Sequence, residues 1–74
     1  MRPRPVAFLV AVGARIRQIR ERTGLSQEAL AAEAGIDRSY MSGVERGRRN
    51  FSMLKLQALA KALRVPVRDI LPPE

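Results

Sequence analysis

The segment DRSYMSGVERGRRN, residues 37–50, holds most of the side chains that could do chemistry. An arginine donates two parallel hydrogen bonds to a guanine edge or a phosphate, and a hydroxyl donates or accepts one. The chain has no histidine and no cysteine, which leaves few nucleophile–base pairs and argues against a metal site. Glu28 and Glu33 lie five residues apart and share a helix face poorly, which argues against a paired-carboxylate site. We therefore predict a binding protein that is not an enzyme and uses no metal or cofactor.

The charge of the whole chain indicates the kind of partner. Fourteen basic residues oppose seven acidic residues among 74, so the formal net charge is +7 and attracts polyanions. All the basic residues except Lys55 and Lys61 are arginine, which suits bidentate contacts with phosphate or guanine. A GC-rich genome also favours arginine codons, so this bias alone does not decide the function.

The spacing of apolar residues predicts a first helix over residues 6–22, which follows a mobile basic arm formed by residues 1–5. Residues 6–74 are predicted to form one domain. The apolar run Val6–Ala14 is shorter than the 20 or so residues that span a bilayer, and arginines follow it where a signal-peptide cleavage site would lie. We expect a protein that does not engage membranes and acts in the cytoplasm. The stripe that faces the core consists of Leu9, Val12, Ile16 and Ile19.

The second and third helices are separated by a very short turn. Ser26 is a good N-cap for the second helix, which ends at Gly35, and Asp37 caps the third helix only two residues later. The small residues Ala31, Ala34 and Gly35 would let the two helices approach closely. Such a turn is typical of a helix-turn-helix, in which the second of the two helices enters the DNA major groove. An ordinary helical hairpin is the alternative.

The outward face of the third helix favours DNA. Met41 and Val44 point to the buried side, and the opposite arc contains no acidic residue. An ordinary solvated face would carry more glutamate, lysine and alanine. Gly43 costs about 1 kcal/mol relative to alanine, which the close approach of a DNA strand could offset, although a tolerated surface glycine is the alternative. We expect this arc to consist of Ser39, Ser42, Gly43 and Arg46, with Arg38 at its edge.

The two acidic residues of this region need roles away from phosphates. Asp37 is assigned to the cap. Glu45 lies at the edge of the buried face, and we predict an ion pair with Arg20 of the first helix. This pair would join the two helices and keep the carboxylate away from DNA.

The C-terminal third predicts a fourth helix and a final turn. Ser52 caps the fourth helix, Pro66 cannot continue it, and Val67–Leu71 forms a fifth, short helical segment. The coarse prediction is thus an all-α fold of five short helices. The apolar face of the fourth helix would consist of Met53, Leu56, Leu59, Ala60 and Leu63.

The run LSQEALAAEAGIDRSYMSGVERG, residues 25–47, followed by RRNFSMLKLQALAKALRV, resembles the lambda-repressor/Cro-like helix-turn-helix family, also called XRE. The resemblance covers residues 16–71. Residues 37–50 are particularly similar to controller proteins of restriction–modification systems, which are short, dimeric transcription regulators. The resemblance implies a lambda-repressor-like DNA-binding domain and gives no sign of a small-molecule ligand.

The resemblance also implies roles for single residues. Arg38 and Ser39 match positions that reach base edges, and Tyr40 matches one that contacts the backbone or a base methyl. Gly43 departs from the pattern, because many relatives carry there a side chain able to reach DNA. The predicted base contacts are Arg38, Ser39, Tyr40 and Ser42. The predicted DNA-backbone contacts are Gln27, Arg46, Arg48, Arg49 and Asn50. The Arg20–Glu45 pair matches a family ion pair.

A single reading helix covers only a few base pairs, so we expect a homodimer on a palindromic operator. Leu54 points away from the apolar face of the fourth helix and could belong to an exposed patch of the kind that marks interfaces. The alternative is that some members of this patch cap the core. The predicted interface consists of Phe51, Leu54, Val67, Ile70 and Leu71.

Two other binding functions compete with DNA reading. A basic, antitoxin-like module whose main partner is a protein would show little salt-dependent DNA binding. RNA binding is less favoured because few aromatic residues can stack on bases, namely Phe8, Tyr40 and Phe51.

Overall fold

The computed structural model describes residues 4–73, with side chains from residue 7 onward. Within that range there is no β-strand, so the predicted all-α fold is confirmed. None of the helices in these residues combines the length and the hydropathy needed to cross a bilayer. The fifth helical segment is a short 3-10 helix rather than an α-helix. The elements are α1 (Arg4–Thr23), α2 (Gln27–Ala34), α3 (Arg38–Glu45), α4 (Met53–Leu63) and the 3-10 helix Val67–Asp69.

Helix α1 packs across α3 and supplies one wall of the core. It begins at Arg4, two residues before the expected start, and residues 1–3 of the predicted arm lie outside the described residues. Its buried stripe contains Val12, Ile16 and Ile19, while Leu9 is half-buried. Gly13 is also buried, and a β-carbon there would lie 2.8 Å from the Glu45 carbonyl oxygen. The absence of a side chain at Gly13 therefore lets the two backbones touch.

Side-chain caps define where α2, α3 and α4 begin. The Ser26 hydroxyl accepts the Ala29 amide N–H at 3.0 Å, and the Ser52 hydroxyl accepts the Lys55 amide at 3.1 Å. A carboxylate oxygen of Asp37 caps α3 in the same way. These bonds satisfy N–H groups that have no partner inside their own helix. All three predicted caps are confirmed.

The turn between α2 and α3 is tight because Gly35 adopts a left-handed conformation with φ of 74°. No atom lies within 4 Å of the place where its β-carbon would be. The expectation that Gly35 serves close helix approach is therefore wrong, since its role is the backbone turn. Ala31 does lie buried between the helices, and its carbonyl accepts the Ile36 amide at 3.0 Å.

Two predictions for the C-terminal third are wrong. Ile70, assigned to an exposed patch, has 0% of its surface exposed. The 3-10 turn reverses the chain so that the Ile70 amide bonds to the Val67 carbonyl at 2.9 Å and the Ile70 side chain enters the core. Met53, assigned to the apolar face of α4, is 83% exposed because it is the first residue of that helix and lies beyond the core.

Candidate nucleic-acid interface

Helix α3 presents a polar face to solvent. Met41 and Val44 are fully buried on its inner side. Arg38 and Ser39 are exposed and Ser42 is half-buried. The helix therefore has the two-sided character that a groove-reading helix requires.

This face forms one wall of an open groove of about 490 Å³ between α1, the start of α2 and α3. Arg38, Ser42 and Arg46 line it from the α3 side, and Gln27 lines it from α2. Arg17 of α1 also lines it, although the sequence analysis gave Arg17 no role. Residues three apart share a helix face, and Arg17 lies three residues before Arg20. Since Arg20 was predicted to meet α3, this spacing could have identified Arg17 as a residue near α3.

Arg20 and Glu45 form a two-pronged ion pair at the inner end of this groove. The Arg20 Nε donates to one carboxylate oxygen at 2.5 Å and its Nη2 donates to the other at 3.1 Å. Arg20 Nη1 also donates to the Leu25 carbonyl at 2.8 Å. The hydrogen bond with Glu45 raises the pKa of Arg20, outweighing the opposing effect of burial. The Glu45 charge is thus neutralised within the protein, and Arg17, Arg38 and Arg46 outnumber Glu28, the other acidic residue of the lining.

Gln27, predicted to contact the DNA backbone, is the third partner of this carboxylate. Its amide nitrogen donates to a Glu45 oxygen at 2.9 Å, and its side chain is part-buried. A primary amide has two N–H donors, so one donor and the carbonyl oxygen remain available on the groove side. The network therefore fixes the position of Gln27 without using up its hydrogen-bonding capacity.

The Ser39 hydroxyl is directed by the cap of its own helix. It donates to the Asp37 carboxylate at 2.8 Å, and the same oxygen accepts the Tyr40 amide at 2.8 Å. The Tyr40 amide, followed by the Ser39 hydroxyl, holds the pKa of Asp37 below its usual range. With its proton directed at Asp37, the Ser39 hydroxyl presents lone pairs to a ligand, which suits a base amino group.

Tyr40 is half-buried and carries two cations on its ring. The Arg49 guanidinium carbon lies 5.2 Å from the ring centroid, and the Lys55 ammonium lies 5.6 Å from it. Both distances are within the range of cation–π attraction. Lys55 is not among the residues predicted from the sequence. Its place three residues after the Ser52 cap is the one sequence signal that puts it near the start of α4.

Gly43 is buried, so its assignment to the exposed arc is wrong. A β-carbon at Gly43 would lie 2.9 Å from Cγ of Arg49. The group that covers the glycine is therefore the aliphatic stem of an arginine from the following loop. The loop is held to the helix by the Arg48 amide, which donates to the Gly43 carbonyl at 2.8 Å.

The remaining predicted contacts divide between two surfaces. Arg46, Arg48 and Arg49 are exposed around the end of α3. Asn50 is also exposed but lines an apolar groove of about 430 Å³ beside Phe51. The structure thus brings the arginines together with the α3 face and places Asn50 at the border of a different surface.

The short turn and the exposed polar face of α3 define a helix-turn-helix protein. The helix-turn-helix family pattern matches residues 16–70, and the chain belongs to this family, of the lambda-repressor/Cro-like (XRE) type. The crystal structure of the restriction–modification controller protein C.AhdI from Aeromonas hydrophila is 49% identical, with a TM-score of 0.85 over 88% of this chain and 98% of that one. The sequence resemblance to controller proteins is thereby confirmed.

Two further relatives agree with this placement. Control protein C.BamHI from Bacillus amyloliquefaciens is 43% identical over 60 residues, which cover 80% of this chain and 74% of that protein. The structure of a hypothetical transcription factor from Neisseria is 40% identical, with a TM-score of 0.81 over 92% of this chain and 79% of that one. The chain is a helix-turn-helix transcription regulator, and these relatives are regulators rather than enzymes.

Proposed function

We propose that the protein inserts α3 into the major groove of double-stranded DNA and reads a palindromic operator as a homodimer in the cytoplasm. The observation that carries this proposal is the outward face of α3, where Arg38 and Ser39 are exposed on the side opposite the buried Met41 and Val44. Short polar side chains and arginine on such a face match the donors and acceptors of base edges.

The proposed base contacts divide by chemistry. Arg38 donates two hydrogen bonds to O6 and N7 of a guanine. Ser39 accepts from a base amino group because its proton is held by Asp37. Ser42 lies one turn further along the same groove, and Tyr40 meets a base methyl or the backbone at the edge of the reading surface.

The proposed phosphate contacts supply most of the affinity and make it dependent on salt. Arg17 and Lys55 extend this set, since one lines the groove beside α3 and the other lies near the Tyr40 ring with Arg49. Arg17 donates through Nε to Glu21 at 3.1 Å, so its other guanidinium nitrogens would contact a phosphate. Asn50 contacts the backbone from the border of the apolar groove. The contacts proposed from the sequence are Gln27, Arg46, Arg48, Arg49 and Asn50.

The proposed dimer surface is the apolar region that surrounds the start of α4. Leu54 is 77% exposed in the single chain, and Leu71 is 39% exposed. Phe51 and Val67 are half-buried and line the adjoining apolar groove together with Phe8 of α1. No charged residue lines this groove. Two copies of a chain with a net charge of +7 repel each other, so an uncharged apolar surface is the favourable place for them to meet.

The function is tested by selecting bound sequences from a random DNA pool and titrating the winner at several salt concentrations. We expect a palindrome whose half-site centres lie about 10 base pairs apart, and an affinity that falls steeply with salt. A pool without enrichment, together with salt-independent binding, would contradict DNA reading and favour a module that binds another protein.

The dimer is tested separately by sedimentation at micromolar concentration. A species of twice the chain mass is expected in the free protein or in its operator complex. A monomer that persists in both would remove the dimer from the proposal and leave the DNA reading by α3 intact.

A further inference from the structure

Arg49 belongs to the loop after α3, yet its side chain lies across that helix. The Arg49 atoms Cγ, Nε and Cδ lie 2.9, 3.2 and 3.6 Å from the place where a Gly43 β-carbon would be. Carbon atoms in contact prefer a separation of about 3.5 to 4.0 Å, so a β-carbon at position 43 would clash with Cγ of Arg49. The stem of Arg49 occupies the space that any other residue at position 43 would fill.

From this arrangement we infer that Gly43 is a positioning residue for DNA binding. Its missing side chain lets Arg49 cross α3 and bring its guanidinium onto Tyr40, 5.2 Å from the ring centroid. The inference rests on the proposed function and adds a residue that itself makes no contact with DNA.

The fold does not require this glycine. Alanine is the better helix former, and Gly43 has an ordinary helical backbone rather than a left-handed one. The atoms that a β-carbon would meet belong to the side chain of the exposed Arg49, whereas at Gly13 they belong to the α3 backbone. An alanine at position 43 therefore fits once Arg49 moves away. The substitution then changes the position of the Arg49 side chain and leaves helix α3 intact.

That placement prepares a site for an anion. Arg49 and Lys55 each lie within cation–π distance of the Tyr40 ring, so two positive charges are held near one side chain. An anion near this ring is attracted by both charges. The carboxylate that caps α3, Asp37, also attracts Arg49, but it already accepts bonds from the Tyr40 amide and the Ser39 hydroxyl. Because the Arg49 stem rests against α3 before binding, less side-chain freedom is lost when a DNA phosphate arrives.

The test compares the wild type with Gly43→Ala, Arg49→Ala and the double variant. Tyr40 is the only tyrosine and the chain has no tryptophan, so intrinsic fluorescence reports this ring alone. We expect Gly43→Ala to melt at the same temperature or higher, to change the Tyr40 emission, and to bind operator DNA about three- to tenfold more weakly. Arg49→Ala should reproduce the emission change and the loss of affinity.

The double variant distinguishes a positioning role of Gly43, which acts through Arg49, from a direct effect of the added methyl group on DNA binding. In the Arg49→Ala background, Gly43→Ala should cause no further loss of DNA affinity while still leaving the melting temperature equal or higher. An equal loss of affinity in both backgrounds would overturn the inference, because the added methyl group would then act without Arg49. Unchanged affinity and emission in Gly43→Ala would also overturn it.

The proposed function can fail separately from this inference. If the wild type bound no DNA, the reading by α3 would be overturned, and with it any role of Gly43 in DNA binding. The emission of the free variants would still report whether Gly43 places Arg49 on Tyr40. If the wild type bound its operator and Gly43→Ala bound it as tightly, only the positioning role would be lost.

Discussion

Arg20 of α1 and Glu45 of α3 form a buried ion pair whose carboxylate side chain is only 2% exposed. Glu45 is the last residue of α3, and Gln27 at the start of α2 donates to the same carboxylate. The pair therefore joins all three helices that surround the groove. It sets the direction of α3 and removes a negative charge from the surface proposed to meet phosphates.

Glu45→Gln should destabilise the fold by about 3 kcal/mol, because it leaves the Arg20 charge buried without its partner. Urea denaturation of the variant and the wild type measures the difference. The matched control is the double variant Arg20→Met with Glu45→Leu, which removes both charges and should recover most of the loss. Equal stabilities for Glu45→Gln and the wild type would show that the pair does not hold the helices together.

Acid should weaken the cap of α3. The pKa of Asp37 is lowered in the folded state, so its stabilisation is complete above the ordinary aspartate pKa of about 3.9 and is lost as the pH falls from there toward the lower folded pKa. Asp37→Asn keeps an oxygen that can cap the helix but cannot titrate. Stability measured against pH should therefore fall less for this variant as the pH drops below about 4. If the stability of the wild type and of Asp37→Asn fell equally with pH, Asp37 would not contribute to the loss of stability in acid.

Gly13→Ala should destabilise the protein by about 1 to 3 kcal/mol although alanine favours helix, because the added carbon meets the α3 backbone. Gly43→Ala is the matched control, since the same change there meets only the Arg49 side chain. In thermal or urea unfolding, the free energy of unfolding should fall for Gly13→Ala and should rise or stay unchanged for Gly43→Ala. A stabilised Gly13→Ala protein would mean that α1 and α3 do not touch there.

Leu54→Glu should weaken dimerisation at least about tenfold, because a buried leucine contributes about 1.5 to 3 kcal/mol and the new charge opposes burial. Folding of the single chain should be nearly unaffected, since Leu54 is 77% exposed. Ala32→Glu adds the same charge at an exposed position of α2, away from the grooves lined by Leu54 and Leu71, and serves as the control. Sedimentation over a concentration series should separate the two variants. Identical dimerisation would place the interface elsewhere.

The features that the sequence predicted well depend on near neighbours. Ser26, Asp37 and Ser52 each satisfy an amide three residues further along, so the residue type and the helical pattern suffice to place them. The stripe of α1 follows from helical periodicity in the same way. The Arg20–Glu45 pair is the exception, because it joins residues 25 apart. It was predicted because a carboxylate at the edge of a buried face needs a cation and because the pair matches an ion pair of the family that the chain resembles.

The features that the sequence analysis missed depend on the path of loops and on distances between helices. Nothing local to Gly43 indicates that Arg49 folds back over it, because that requires the course of the chain after Gly47. Ile70 enters the core only because the 3-10 turn reverses the chain after Pro66. Gly13 has an ordinary place in a helix, and its contact with α3 is visible only in three dimensions.

The most direct test of DNA reading by α3 is the affinity of Arg38→Ala for the selected operator and for random DNA. We predict a loss of about 1 to 3 kcal/mol on the operator, a relaxed preference at one base pair and little change on random DNA. Arg49→Ala, as the matched control, should weaken binding to both DNAs similarly and flatten the salt dependence. Equal losses for Arg38→Ala on the operator and on random DNA would contradict the account.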